Sequence, residues 1–163
     1  MHGTDIDEEG IELMMKKDRY LLATLLSPTP TPSKELVNAK NKSVLDLLVS
    51  TAERHWRSIE KAYKAGVKIA FSTDAGTLGI APGTNALEFM NLQKIGMSNA
   101  EALKAATSAA AAAIGHSDTI GRIVPGYRAN LTVMSGNPLE DLTATQRILM
   151  TLKDGKIVND KRD

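Results

Sequence analysis

Few side chains in this sequence could carry chemistry. Its 163 residues include three histidines and no cysteine, so any metal would have to be held by imidazole and carboxylate groups. Asp74 stands out among the acids, in the segment Ser72-Thr73-Asp74-Ala75-Gly76. It directly follows the apolar run Val67-Lys68-Ile69-Ala70-Phe71 and precedes a polar, glycine-rich turn that reaches Gly83. An acid placed just after a strand, in strand–loop–helix order, sits at the carboxyl rim of a parallel sheet, where (β/α) architectures put their active sites. Thr73, Ala75 and Gly76 are small enough to let a metal or substrate approach. The competing reading is that Asp74 only caps the turn or the helix beyond it, and the residues alone leave both open.

The histidines are less telling. His2 lies in a loop beside Gly3 and Thr4, where a lone imidazole near a terminus is more often solvated than bound to anything. His55 falls mid-helix near an apolar stripe and reads as a packed or interfacial histidine. His116 follows Gly115 at a helix end, where its charge would offset the helix dipole. The sequence has no His-x-His pair, no helix-borne zinc motif, no phosphate loop and no nucleophile elbow.

The elements that would position these residues follow from periodicity and punctuation. Asp5 with Glu8 predicts a helix start, running to about Lys17. Tyr20 to Leu26 is continuously apolar, as a strand buried on both faces of a parallel sheet would be. The prolines of Ser27-Pro28-Thr29-Pro30-Thr31-Pro32 exclude helix and central strand and predict a stiff extended loop. Ser43 with Asp46 predicts a second helix start. Leu45, Leu48, Ala52, Trp56, Ile59 and Tyr63 then recur at helical spacing until Gly66. Val67 to Phe71 predicts a second buried strand. Asn85 with Glu88 predicts a helix cap ahead of Gly96, and Ser98 with Glu101 a capping box for an Ala-rich helix ending at Gly115. Gly121 to Gly126, Leu131 to Met134, and Ile148 to Val158 around Asp154-Gly155 read as short strands, the Asp-Gly pair signalling a hairpin.

Composition limits the function classes. A net charge of +1 with dispersed lysines gives no grip on nucleic acid. No apolar run is long enough to span a bilayer and no signal peptide is read at the N-terminus, so the expectation is a cytoplasmic protein without membrane contact. The length suits one compact domain with a real core, but a complete (β/α)₈ barrel takes about 250 residues.

Taken in order, the chain resembles the C-terminal part of the metal-dependent amidohydrolase superfamily, in its imidazolonepropionase-like and Xaa-Pro dipeptidase-like branch. His2-Gly3-Thr4-Asp5 with the acidic helix start is similar to the loop after the sixth barrel strand. Ala65 to Gly76 resembles the eighth strand with its aspartate. Met97-Ser98-Asn99-Ala100-Glu101-Ala102-Leu103-Lys104-Ala105-Ala106-Thr107 looks like the helix that follows. Gly121 to Gly126, Ala129-Asn130-Leu131, Gly136-Asn137-Pro138-Leu139 and Lys153-Asp154-Gly155-Lys156 are similar to the return into a small β-subdomain.

The resemblance implies an α/β fold: the C-terminal strands and helices of a TIM-type (β/α) barrel over residues 1–118, then a small antiparallel β-subdomain over 119–163. It implies a divalent metal, zinc foremost, held by His2 and Asp74, with Asp74 also the catalytic proton shuttle in metal-dependent hydrolysis of amide, cyclic amide or dipeptide C–N bonds. The family's strand-one His-x-His pair, bridging lysine and strand-five histidine would all lie upstream of Met1. The chain alone is therefore expected to be inactive: a truncated gene product, an excerpt, or one half of a split enzyme that takes a small-molecule amide substrate only once a full site is assembled. The alternative is a non-catalytic oligomeric module. Open strand edges predict a homo-oligomer or a complementary barrel half as partner. Two departures from the family pattern stand out: Ala81-Pro82-Gly83 where a histidine often precedes the glycine, and Asn130 in place of a common aspartate.

Overall fold

A computed structural model describes residues 2–26, 42–77 and 80–162. Two strands, β1 (Tyr20–Leu22) and β2 (Lys68–Ala70), pair in parallel, with Leu21 opposite Ile69. Both are shorter than the apolar runs predicted. Helix α1 (Glu8–Lys16) precedes β1, and the 23-residue α2 (Lys42–Lys64) crosses between the strands. Two parallel neighbours joined through a helix form the βαβ unit that apolar runs separated by a helical stripe lead one to expect. The prolines of 27–32 and the side chains of Ser43, predicted to start the helix, and of Leu45 and Leu48, predicted on its apolar stripe, lie outside the described residues.

The chain leaves β2 through the Asp74 turn and enters α3 (Leu87–Lys94). Helix α4 (Asn99–Lys104) opens on the predicted capping box, with Ser98 Oγ accepting from Glu101 N and the Glu101 carboxylate accepting from Ser98 N. It continues through a π-helical turn (Ala105–Ala109) into α5 (Ala110–Ala113). A π turn leaves a carbonyl out of helical register, and here Ala105 O accepts the Phe71 amide, just beyond β2, at 3.0 Å. The core lies between the strand pair and these helices, built on Leu21, Leu25, Ile59, Ala62, Ile69, Leu92, Ile95 and Ala102.

The chain closes on an antiparallel sheet of β3 (Leu131–Met134), β4 (Ile148–Lys153) and β5 (Lys156–Asp160) in that spatial order. Asp154 and Gly155 both have positive φ, 51° and 76°, as a two-residue hairpin turn requires. Arg128 grips the Asp154 carboxylate through two nitrogens at 2.6 and 2.8 Å, and the Asp154 amide donates to Asn130 Oδ1 at 2.9 Å. Asn130 thus ties the hairpin turn to the start of β3.

Three local readings are corrected. Asp7, rather than Asp5, caps α1, accepting from Gly10 N at 2.8 Å. Asp5 instead takes a left-handed conformation (φ 59°) in the loop before it. Gly121 to Gly126 is irregular, not a strand: Gly121 turns at φ 86° against the π-helical segment, leaving no extended run to pair. Glu88 does not cap α3. It is buried and serves another purpose, described below. No helix among the described residues is long and apolar enough to cross a membrane.

Candidate functional site

The two side chains read as candidate metal ligands meet in space. Nε2 of His2 lies 3.8 Å from Oδ2 of Asp74, both side chains being about half-exposed. Asp74 sits four residues beyond the end of β2 with φ 56°, a left-handed conformation that aspartate tolerates better than most residues. The turn it starts is closed by its backbone: Thr77 Oγ1 and Thr77 N donate to Asp74 O, while Ala75 N donates to Thr73 Oγ1. Among the described residues, no hydrogen bond of the turn uses the Asp74 carboxylate, which approaches His2.

His2 is set from its other side. Its Nδ1 is 2.5 Å from Thr24 Oγ1. With the proton on Nδ1 and donated to the hydroxyl, the Nε2 lone pair faces Asp74, which is how a partner on one ring nitrogen frees the other for a metal. Thr24 is buried and has φ 45°. A β-branched residue in that region is strained, by roughly 1–3 kcal/mol.

The surroundings hold this geometry with buried polar groups. His55, 1% exposed, reaches from α2 to Ala23 O with Nε2 (2.8 Å) and to Thr4 Oγ1 with Nδ1 (2.8 Å). A carbonyl can only accept, so Nε2 carries the proton and Thr4 donates to Nδ1. Burial lowers the basicity of His55, with His2 adding to that effect and the Ala23 bond and Asp5 opposing it. The expectation of a packed histidine holds, with a polar duty added. Ser58, one turn on, donates to Gly3 O at 2.7 Å and accepts from Ile6 N at 2.9 Å.

Glu88, 0% exposed on α3, accepts the amides of Leu25 and Leu26 at 2.7 Å each. Burial pushes its carboxyl up to about 7, against the pull of those two bonds and one from Asn91. Sequence reading missed Ser58 and Glu88. Positions 55, 58, 59 and 62 share one helical face, and that spacing could have flagged Ser58 as buried. No local signal places Glu88 beside residues more than 60 positions away. His116 is exposed at the end of α5.

The donor set suits a divalent metal in part. Two ligands at about 2.1 Å on a tetrahedral ion are about 3.4 Å apart, close to the separation found, and imidazole with carboxylate matches zinc and similar ions. Among the described residues, no group of three His, Asp or Glu side chains could hold an ion. His2 and Asp74 thus fit two corners of a metal shell and no more.

The model of the amidohydrolase family matches residues 2–158. This chain belongs to the amidohydrolase family. Ochratoxinase of Aspergillus niger is 32% identical over 165 residues, covering 96% of this chain and 32% of that protein. Imidazolonepropionase of Fusobacterium nucleatum subsp. nucleatum is 32% identical over 129 residues, 76% of this chain and 30% of the relative. Among solved structures, a Xaa-Pro dipeptidase with methionine bound in its active site superposes at a TM-score of 0.85 with 31% identity, over 97% of this chain and 39% of the dipeptidase. The A. niger ochratoxinase structure gives 0.81 and 32%, over 99% of this chain and 37% of the other. The chain spans about a third of the length of the curated relatives it matches.

Proposed function

We propose that this amidohydrolase-family chain is the C-terminal portion of a (β/α) barrel, residues 1–118, carrying a small β-subdomain, residues 119–163. In this reading it contributes two metal ligands, His2 and Asp74, to a site that hydrolyses C–N bonds of an amide, cyclic amide or dipeptide. The carrying observation is the approach of His2 Nε2 to Asp74 Oδ2 at the end of β2. Relatives named as an imidazolonepropionase and a Xaa-Pro dipeptidase, similar over most of this chain, support the bond class.

A divalent metal, zinc foremost, supplies Lewis acidity and an acidified water to such a site. This chain's own residues would orient the imidazole through Thr24 and hold a carboxylate on the opposite side, able to take and return a proton at Oδ2. A catalytic zinc ordinarily needs three protein ligands and an open position, so the isolated chain is inactive and a complementary barrel half completes the site.

The test is hydrolysis of X-proline dipeptides and cyclic amides by the purified chain with added zinc, alone and mixed with an upstream barrel half bearing a His-x-His pair. The expected result is no turnover alone and chelator-sensitive turnover in the mixture, lowered at least a hundredfold by Asp74→Asn. Turnover by the chain alone, lost with chelator and in Asp74→Asn, would show that it needs no other half. A mixture that assembles and stays inactive would remove the hydrolytic reading.

A further inference from the structure

We propose that His55 is a positioning residue for His2: from the middle of α2 it fixes both the loop that carries His2 and the chain after β1 that carries Thr24, so that Nε2 of His2 is held toward Asp74. The inference rests on the reading of His2 and Asp74 as metal ligands.

Its basis is where the hydrogen bonds of His55 go. One ring nitrogen bonds the side chain two residues after His2, and the other bonds the carbonyl one residue before Thr24. These are the two segments whose relative placement sets the His2–Thr24 contact. An imidazole 1% exposed costs desolvation that an aliphatic side chain would avoid. Ile59 and Ala62 pack the same helical face, and the imidazole adds to it the two bonds that join these segments.

The neighbouring anchors act on the same two segments. Ser58 holds the backbone on either side of Thr4 through Gly3 O and Ile6 N, and Glu88 holds Leu25 and Leu26 just past Thr24. Gly3 is closely packed in a left-handed conformation (φ 80°), where a β-carbon would lie 2.8 Å from Leu21 Cδ1 and 3.0 Å from Ile59 Cδ1. Thr24 keeps its strained φ because buried Ala23 and Leu25 flank it. Removing the His55 bonds cuts the link between the two segments, leaving Ser58 on one and Glu88 on the other. A metal ligand whose orienting partners are lost typically binds 10–100-fold more weakly.

The experiment uses this chain and zinc ion alone. Zinc is titrated while the ¹⁵N imidazole resonances of His2 report both its tautomer and its occupancy, and thermal melts report folding. Two variants are compared: His55→Gln, which can still donate to Ala23, and Thr4→Val, which removes the donor to His55 at a site with little packing. Each is expected to weaken zinc binding at His2 by about tenfold or more and to shift His2 away from a single tautomer. The double variant is expected to be no weaker than the worse single one, since both act through one hydrogen-bonded unit.

His2→Ala separates the two ideas. If His2→Ala abolishes zinc binding but folded Thr4→Val and His55→Gln bind as tightly as the parent with an unchanged His2 tautomer, the positioning role is overturned and the ligand reading stands. If His2→Ala leaves zinc binding unchanged, the ligand reading fails and the positioning role falls with it. A lowered melting temperature in His55→Gln together with parental affinity in Thr4→Val marks His55 as structural only, and also overturns the proposal.

Discussion

The Glu88 carboxylate has no exposed surface and, among the described residues, no cation beside it; its charge would rest on two backbone amides and Asn91. Its pKa rises from 4.5 to about 7, chiefly through desolvation. A folded-state pKa above the unfolded one means that its contribution is complete below pH 4.5 and is lost as pH rises toward about 7, by at most about 3 kcal/mol. His55 runs the other way: its lowered pKa contributes stability that is present above its unfolded value of 6.5 and lost as pH falls through the folded value. The parent's pH profile is therefore a composite, which Glu88→Gln resolves. The amide can accept only one of the two backbone N–H groups and points its own N–H at the other, costing about 1–3 kcal/mol. At pH 5 the variant should be less stable than the parent by that amount. By pH 8 the gap should narrow or reverse as the parent carries an ionised buried acid. Urea melts of both proteins from pH 5 to 8 test this, and a gap constant across the range refutes the assignment. The place of Asp74 just past β2 was legible in the sequence because the acid directly follows an apolar run. Glu88 was not, because a glutamate three residues after an asparagine also spells a helix cap, and only the tertiary fold brings Leu25 to it.

At the scale of elements, local chemistry was readable where the partner is close in sequence. The Ser98–Glu101 box, the Asp154-Gly155 hairpin and the helix up to Gly66 all close over a few residues, and all are present. From Ala52 to Tyr63 the stripe predicted along α2 lies near its buried face, but His55 and Ser58 share that face, since helical spacing shows which residues line up and not which polar groups find partners across the fold. The Ala-rich helix kept its length but not its register. Its π turn turns the Ala105 carbonyl toward Phe71, tying the helix to the β2 end that leads to Asp74. Gly121 closes over this segment, where an added β-carbon would lie 2.7 Å from Ala111 Cβ and 2.8 Å from Thr107 O, at φ 86°. The backbone oxygen cannot move aside without disturbing the π turn. Gly121→Ala should therefore destabilise by about 2–4 kcal/mol, combining the left-handed penalty with overpacking. Gly126→Ala, with an equally left-handed φ of 87° but nothing within 4 Å, should cost only about 1 kcal/mol. Paired thermal melts measure the difference. Equal losses would mean that conformation alone matters and that the contact with the π turn is soft.

At the scale of the whole molecule, what stands out is how much strand edge the described residues leave open. Strands β1 and β2 pair only with each other among these residues, although parallel sheets are normally multi-stranded and covered on both faces. Beyond the hairpin, every residue of β5 is exposed, including Ile157 at 54% and Val158 at 62%. Ile123, at 87% exposed, adds a further apolar side chain at the surface. Unpaired edges and exposed aliphatic side chains bind whatever complements them. Left to itself the chain should self-associate, two or more copies covering each other's edges. Light scattering should then report a mass of at least twice 17.5 kDa at moderate concentration, with dilution shifting it downward. An upstream barrel half of the kind proposed above would compete for the same edges. Adding it should convert the homo-oligomer to a one-to-one heterodimer and raise the melting temperature, because edge amides and apolar faces satisfied crookedly between identical copies would be satisfied in register. A chain that stays monomeric throughout the concentration range, and does not bind the added half, would mean that these edges are tolerated as they stand and that no separate half completes the site of His2 and Asp74.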